Sequence, residues 1–217
     1  RSVFSDRGFV LLQQVVEKVT ELPMDLYLAR EFYAPMGLQR TMFLPLTKFT
    51  KAEIMPTASN DFLRRQDICG YVHDETAACM GGVSGNAGLF STAEEVAKVY
   101  QMLLNGGEFN GKRFLSEATC RLFTTEKSAI SRRGLGFDMP DVSIVMRSPC
   151  APSAPEEVYG HTGFTGTCAW VDPENKTVYV FLSNRLCPNV WNTKLGDMNI
   201  RRDIQELIYK SIIPQIP

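Results

Sequence analysis

Residues 159–183 read Tyr-Gly-His-Thr-Gly-Phe-Thr-Gly-Thr-Cys-Ala-Trp-Val-Asp-Pro-Glu-Asn-Lys-Thr-Val-Tyr-Val-Phe-Leu-Ser, and this stretch decides the fold class. Two runs rich in β-branched and aromatic residues, Gly166 to Val171 and Thr177 to Ser183, flank the polar link Asp172-Pro173-Glu174-Asn175, the pattern of a β-hairpin with a short loop. Just ahead of it, Tyr159 to Gly166 packs three glycines and two threonines around His161. Glycine at a strand entry lets the backbone come close to a ligand, and Thr and His side chains offer hydrogen-bonding groups along the strand edge. The same composition also suits a glycine-rich strand entry carrying a surface histidine.

Upstream of the hairpin the periodicity is helical. Residues 8–20, GFVLLQQVVEKVT, and 23–38, PMDLYLAREFYAPMGL, place apolar side chains every three or four positions, and Pro35 and Gly37 end the second run. From Thr41 to about Gly81 there is no clear period, which predicts a long ordered connection; a loop of that length in a compact domain suits an active-site wall. A glycine-rich turn from Gly81 then leads to Ser91-Thr92-Ala93-Glu94-Glu95, where Ser91 or Thr92 is an N-cap and Glu94 or Glu95 completes a capping box. Val96, Val99, Tyr100, Leu103 and Leu104 supply the buried face of that helix, and Asn105-Gly106-Gly107 stops it. Ser116 starts another short helix, through Phe123. Past Gly134 the pattern turns to period two, and the chain closes on a helix from about Met198 to Ile212 with the stripe Ile200, Ile204, Leu207, Ile208 and Ile212. Helices, then strands, then a final helix predict an α+β fold. The change of pattern divides it into a mainly helical lobe with the glycine-rich loop, residues 1–130, and antiparallel strands with the C-terminal helix, residues 131–217.

Composition narrows the function classes. A 217-residue chain with 44% hydrophobic and 22% charged residues and a net charge of -1 is that of an ordinary globular protein, with no basic surplus for nucleic acid or an anionic membrane surface. No apolar stretch approaches the roughly 20 residues of a membrane-spanning helix. Six cysteines, at 69, 79, 120, 150, 168 and 187, form no C-x-x-C pair and are too sparse for a disulfide scaffold, so most are expected as buried free thiols. With His73 and His161 as the only histidines, neither at ligand spacing with a cysteine, a zinc site is not expected.

Three local patterns carry a resemblance. His161-Thr162-Gly163 is similar to the K-T-G element of serine β-lactamases and penicillin-binding proteins, in the form with His at the first position. Phe4-Ser5-Asp6 resembles the Y-x-N element that points at the nucleophile, with Phe where Tyr is usual and Asp where Asn is usual. Gly81 to Leu104 resembles the G-G-x-x-S-T-A-x-D-L stretch of class C-like proteins. With Met36-Gly37-Leu38, Leu103 to Gly107 and Asp172-Pro173, these matches recur in the family's order along nearly the whole chain. The chain is thereby identified as similar to the penicillin-recognising serine hydrolases, which include class C β-lactamases and related esterases. The resemblance implies a β-lactamase/transpeptidase-like fold, an antiparallel sheet flanked by helices plus a helical lobe, here incomplete on its amino-terminal side.

That family attacks an acyl carbonyl with the serine of an S-x-x-K element, the lysine helping to remove the hydroxyl proton. No serine of this chain has Lys at the third position beyond it. In the family that element precedes the Y-x-N element, so the expectation is a carboxy-terminal fragment, inactive by itself, whose missing amino-terminal segment supplies the nucleophile and leaves a sheet edge open. The resemblance then implies Ser5, Asp6 and His161 as catalytic, with Thr162, Gly163, Phe164 and Thr165 binding a small-molecule or peptide substrate across a pocket shared by the Ser5 turn and the His161 strand entry. Phe4 cannot transfer a proton as the family's tyrosine does, Ser5 is the polar group left at that turn, and Asp6 also suits a plain helix N-cap. No metal or organic cofactor is implied, and the location implied is periplasmic or otherwise extracytoplasmic. Three readings compete with these roles. Gly82-Val83-Ser84-Gly85-Asn86 approaches a nucleophile elbow but lacks its last glycine; His73-Asp74-Glu75 suits either a general base or a solvated loop; and the whole suits a non-catalytic binding module attached to an enzyme domain.

Overall fold

The computed structural model describes residues 4–141, 143–144 and 148–212. By internal packing the described residues form two units, one of 4–95 with 184–192 and the other of those in 96–183 with 193–212. Short strands already occur upstream of the change of sequence pattern near residue 130, and the packing groups the chain along other bounds. No helix among the described residues is long and apolar enough to cross a membrane.

The first unit opens with helix α1, Asp6–Thr20, followed by α2, Met24–Leu28, which runs on as a π-helical turn, Ala29–Tyr33. The expected capping by Asp6 is corrected. Ser5, in extended conformation at φ -145°, holds the N-cap position, its carbonyl accepts from Gly8 N–H at 3.1 Å, and Asp6 is the first helical residue. There an exposed carboxylate sits in the favourable field of the helix N-terminus without closing a cap. Buried Gln13 faces inward from α1, and the Glu17 carboxylate accepts from Gln13 Nε2 at 3.1 Å and from Met24 N–H at 3.0 Å, which sets the entry of α2.

The stretch without periodicity is a series of pieces too short to show a period. It holds single 3₁₀ turns at Pro45–Thr47 and Lys51–Glu53, an antiparallel pair β1 (Pro56–Ala58) and β2 (Ile68–Cys69), and helix α3, Glu75–Cys79. Side-chain bonds to backbone do the work that long ladders do elsewhere. Buried Asp61 accepts from Arg64 N–H at 2.7 Å and from its guanidinium at 3.0 Å, and that guanidinium also donates to the carbonyls of Val72 and His73. Residues 184–192 return to this unit, where Ser59 N–H donates to the carbonyl of fully buried Leu186 at 3.3 Å and Asn184 Nδ2 to that of Thr57 at 3.1 Å.

Helix α4, Ala93–Leu104, crosses the division between the units after Glu95. Its expected N-cap is present in Thr92, whose Oγ1 accepts from Glu95 N–H at 3.3 Å. The Glu95 carboxylate, buried within the first unit, accepts from Gln39 N–H at 2.7 Å, Arg40 N–H at 2.9 Å and Thr41 Oγ1 at 2.6 Å.

In the second unit, the two-residue strands β3 (Glu108–Phe109) and β4 (Lys112–Arg113) turn through Asn110-Gly111, both at positive φ. Helix α5, Glu117–Thr125, is capped by Ser116, whose Oγ accepts from Thr119 N–H at 3.0 Å. Three antiparallel strands follow: β5 (Tyr159–Thr162), β6 (Cys168–Asp172) and β7 (Thr177–Phe181), in the order β5-β6-β7. The hairpin is as the pattern predicts but shorter, because Gly166 and Thr167 belong to the preceding turn. In its loop the Asp172 carboxylate accepts from Asn175 N–H at 3.0 Å and Nδ2 at 2.8 Å.

Strand alternation builds two cores from one sheet. Cys168 and Trp170 pack with Cys150 and Val158 on one side, against Tyr179 and Phe181; Tyr159 and Val171 pack with Met139 on the other, against Tyr100, Leu103 and Phe137. The chain closes with a single turn, α6 (Lys194–Asp197), and with α7 (Ile200–Ile212), whose Gln205 accepts from Ala151 N–H at 2.9 Å and whose Arg201 carbonyl accepts from the Tyr179 hydroxyl at 3.1 Å.

Candidate active site

The residues singled out at the strand entry are contiguous in space as well as in sequence. In the register of β5 and β6, His161 pairs with Ala169 and Thr162 with Cys168. Alternation sends the His161 side chain to the face of Tyr159 and Val171, and that of Thr162 to the face of Cys168 and Trp170. His161 and Thr162 therefore share an edge and not a face. His161 is half-buried, and its Nδ1 lies 2.7 Å from the Thr162 carbonyl oxygen. A carbonyl only accepts, so Nδ1 carries the proton and a neutral ring keeps its lone pair on Nε2, the atom able to take or hold a proton.

Beyond Thr162 the chain turns through Gly163-Phe164-Thr165-Gly166-Thr167. Gly163 N–H donates to the Thr167 carbonyl at 2.7 Å, and Gly166 N–H to the Gly163 carbonyl at 3.1 Å. A β-carbon on Gly163 would lie 2.1 Å from Thr167 Oγ1, so a larger residue there would have to turn the Thr167 hydroxyl aside. Thr165 is half-buried and Phe164 stands out at 67% exposure on the turn.

The outer edge of β5 has a partner that the sequence reading missed. Asp138 N–H donates to the Gly160 carbonyl at 2.8 Å and Gly160 N–H to the Asp138 carbonyl at 3.0 Å, a one-residue antiparallel bridge. Because alternate residues of an antiparallel strand direct their amides to opposite sides, this bridge sets the Thr162 amide toward the same outer edge, one step nearer the turn. The Asp138 carboxylate, buried, is ion-paired with Arg132 at 2.9 Å and Arg133 at 3.7 Å. The two-residue period of Gly134 to Met139 was the available signal, but a single bridge leaves no run long enough to identify a strand.

Ser5 and Asp6 belong to the other unit, exposed at the start of α1, with the Phe4 ring 5.7 Å from that of Phe9. The glycine-rich loop packs on this helix, Gly85 N–H donating to Gln13 Oε1 at 2.9 Å. The elbow-like Ser84 is buried and its hydroxyl donates to Asn86 Oδ1 at 2.6 Å, an amide that cannot serve as a base. Asn86 Nδ2 in turn donates at 3.2 Å to the Asp74 carboxylate, which also caps α3 by accepting from Ala77 N–H at 2.7 Å. In the His73-Asp74-Glu75 cluster, Asp74 is therefore a structural cap, while His73 Nε2 lies 3.8 Å from Asp61. All six cysteines are free thiols; Cys120, Cys150 and Cys168 are buried, and burial pushes the Cys168 thiol up to about 11 and the Cys150 thiol higher still.

Comparison with known proteins bears on the family and the fold. A protein of Escherichia coli K12 provisionally named D-alanyl-D-alanine carboxypeptidase is 36% identical over 197 residues, covering 85% of this chain and 45% of that protein. The chain thus spans about half the length of the curated relatives it matches. Among solved structures, a beta-lactamase from Mycobacterium bovis superposes with a TM-score of 0.62 at 18% identity, over 98% of this chain and 65% of the other. A penicillin-binding protein homologue from Pyrococcus abyssi gives 0.60 at 19% identity, over 97% of this chain and 46% of the other. At these identities the structures speak for the fold. The family model described as Beta-lactamase matches residues 1–195, and with the strand-entry triplet, the glycine loop and the antiparallel sheet in the order that family has them, the chain belongs to the beta-lactamase family.

Proposed function

We propose that the whole protein of which this chain is part is a serine acyl hydrolase that forms an ester between a serine upstream of Phe4 and the acyl group of a peptidoglycan-type peptide, a β-lactam or a simple ester. The observation that carries this reading is the strand entry itself, a half-buried imidazole whose Nε2 lone pair is set by the Nδ1 bond to the Thr162 carbonyl, beside a tight glycine turn. In this reading the serine Oγ attacks the carbonyl carbon, its proton passing to the lysine of an upstream S-x-x-K. His161 binds substrate or assists proton transfer, Thr162 orients it, a backbone amide at the strand edge past Gly163 holds the developing oxyanion, and Phe164 and Thr165 border the bound acyl group. The leaving group departs with a proton, and water then hydrolyses the acyl-enzyme. Ser5 supplies the polar group at the turn where Phe4 has no proton to give, and Asp6 stands beside it. The name of the Escherichia coli relative favours a D-alanyl peptide as substrate, and the likeness to proteins so named supports an extracytoplasmic location.

Two features favour a chain completed by an upstream segment. The α1 side chains Leu11, Leu12, Val15 and Val19 are 55–76% exposed, an apolar stripe that water disfavours. Strand β7 pairs on one side alone among the described residues. The reading is tested with the whole protein on nitrocefin, p-nitrophenyl acetate and a D-alanyl-D-alanine peptide. Turnover of one of them that is lost on Ser→Ala in the upstream S-x-x-K is expected, with none from this chain alone. Equal turnover by both whole proteins would remove the nucleophile, and an upstream sequence with no S-x-x-K would favour a binding module.

A further inference from the structure

We infer that Arg201 is a positioning residue for the turn beside His161, deepening the reading above and resting on it for its link to activity. Arg201 lies in the first turn of α7, beyond the residues that the family model matches. Its Nη1 donates to the Thr167 carbonyl at 2.9 Å and to the Gly163 carbonyl at 3.4 Å. These are the same two carbonyls that close the turn from within, one accepting from Gly163 N–H and the other from Gly166 N–H. One guanidinium therefore doubles both of the turn's internal bonds. The anchor is itself held, because the Arg201 carbonyl accepts from the Tyr179 hydroxyl of β7, and Tyr179 pairs with Trp170 in the hydrophobic layer. A third hold comes from Ser183, whose Oγ donates to the Gly166 carbonyl at 2.9 Å.

Held in this way, the turn has one geometry. A five-residue link with two glycines, Gly166 among them at φ 112°, would otherwise let Phe164 and Thr165 wander, and the catalytic consequence of a displacement of about 1 Å can be large. A positive charge donating to carbonyls makes bonds stronger than neutral ones, and a planar guanidinium can hold two acceptors that an ammonium cannot hold as rigidly.

The test compares R201K and R201M with the unchanged whole protein, reading amide hydrogen exchange at Gly163 and Gly166 against Val171 and Val178 in the hairpin, together with kcat and KM for ester hydrolysis. In R201M the two turn amides exchange about tenfold faster or more, the hairpin amides stay within about twofold, kcat falls about tenfold with KM changed less than about threefold, and R201K recovers part of each effect. Unchanged turn amides, or equal acceleration throughout β6 and β7, overturns the inference. Should R201M not fold, the same comparison is made with R201K, where acceleration confined to Gly163 and Gly166 supports the inference and uniform acceleration or none overturns it. An unchanged whole protein that hydrolyses nothing counts against the proposed function alone, since the exchange comparison still decides what Arg201 does.

Discussion

The two units are held by different means. In the sheet unit, Trp170, Tyr159, Val158, Val171 and Met139 are at most 2% exposed and form two apolar layers on a three-stranded ladder. In the helix-and-loop unit Met24, Met36, Leu38, Ile68, Val72 and Leu186 are buried as well, but among them lie the polar groups Gln13, Asp61, Ser84 and Glu95, each spending its side chain on backbone or on another side chain. The first means is tolerant of polar change at the surface and intolerant of backbone displacement; the second fails one bond at a time. The cysteines divide the same way, with Cys120, Cys150 and Cys168 buried in the sheet unit and Cys69, Cys79 and Cys187 half-buried or exposed in the other.

The largest effect that would sharpen this contrast is expected at Gly160. A β-carbon there would lie 2.0 Å from the Ala169 carbonyl oxygen and 2.8 Å from the Trp170 ring, backbone and core together, with nothing free to give. Gly160→Val should cost more than about 4 kcal/mol or abolish folding of the sheet unit, measured by urea denaturation followed through Trp170 with Trp191 replaced by Phe. A loss below about 1 kcal/mol would mean the ladder is looser than the register describes.

Next in size is Glu95→Gln. Its carboxylate gathers two amides and a hydroxyl from residues 39–41, and removing a buried charge that accepts such bonds typically costs about 1.5–3 kcal/mol. Faster hydrogen exchange should appear at Gln39 and Arg40 and not in β6. Loss of protection in β6 instead would break the distinction between the units.

The smallest effect is kinetic and pH-dependent. At neutral pH a thiol reagent should label Cys79 within the time that leaves Cys120, Cys150 and Cys168 untouched, unfolding being needed to reach those three. Burial raises Cys168 from 9.0 to about 11, so between those values the unfolded chain has lost a proton that the folded one keeps. Fewer protons bound in the unfolded state means stability falls as pH rises. The sheet unit should therefore weaken across pH 9 to 11, and Tyr100, pushed up to about 12 chiefly by burial, extends the same trend upward. Stability that rises over this range would contradict the burial of these groups.

These contrasts also explain what could be read from sequence. The hairpin, the stop of α4 at Asn105-Gly106-Gly107 and the Ser116 cap were legible because each is set by near neighbours, through period, glycine and capping chemistry. The stretch from Thr41 to Gly81 was opaque because its order comes from Asp61, Arg64 and Glu95 reaching across sequence to backbone groups, which no local pattern announces. The same holds at the candidate site. His161-Thr162-Gly163 stood out by composition, whereas the bridge from Asp138 to Gly160 and the reach of Arg201 to Gly163 are non-local. The N-cap of α1 was misplaced by one residue because Ser5 and Asp6 are both good capping types, and the extended backbone of Ser5 decides between them.

The most direct test of the account is to trap the acyl-enzyme. The whole protein is incubated with a slowly released β-lactam, digested, and the modified peptide located by mass spectrometry. The account predicts a single acyl adduct on a serine upstream of Phe4 within S-x-x-K. An adduct on Ser5, Ser84 or any other serine of these 217 residues would contradict it.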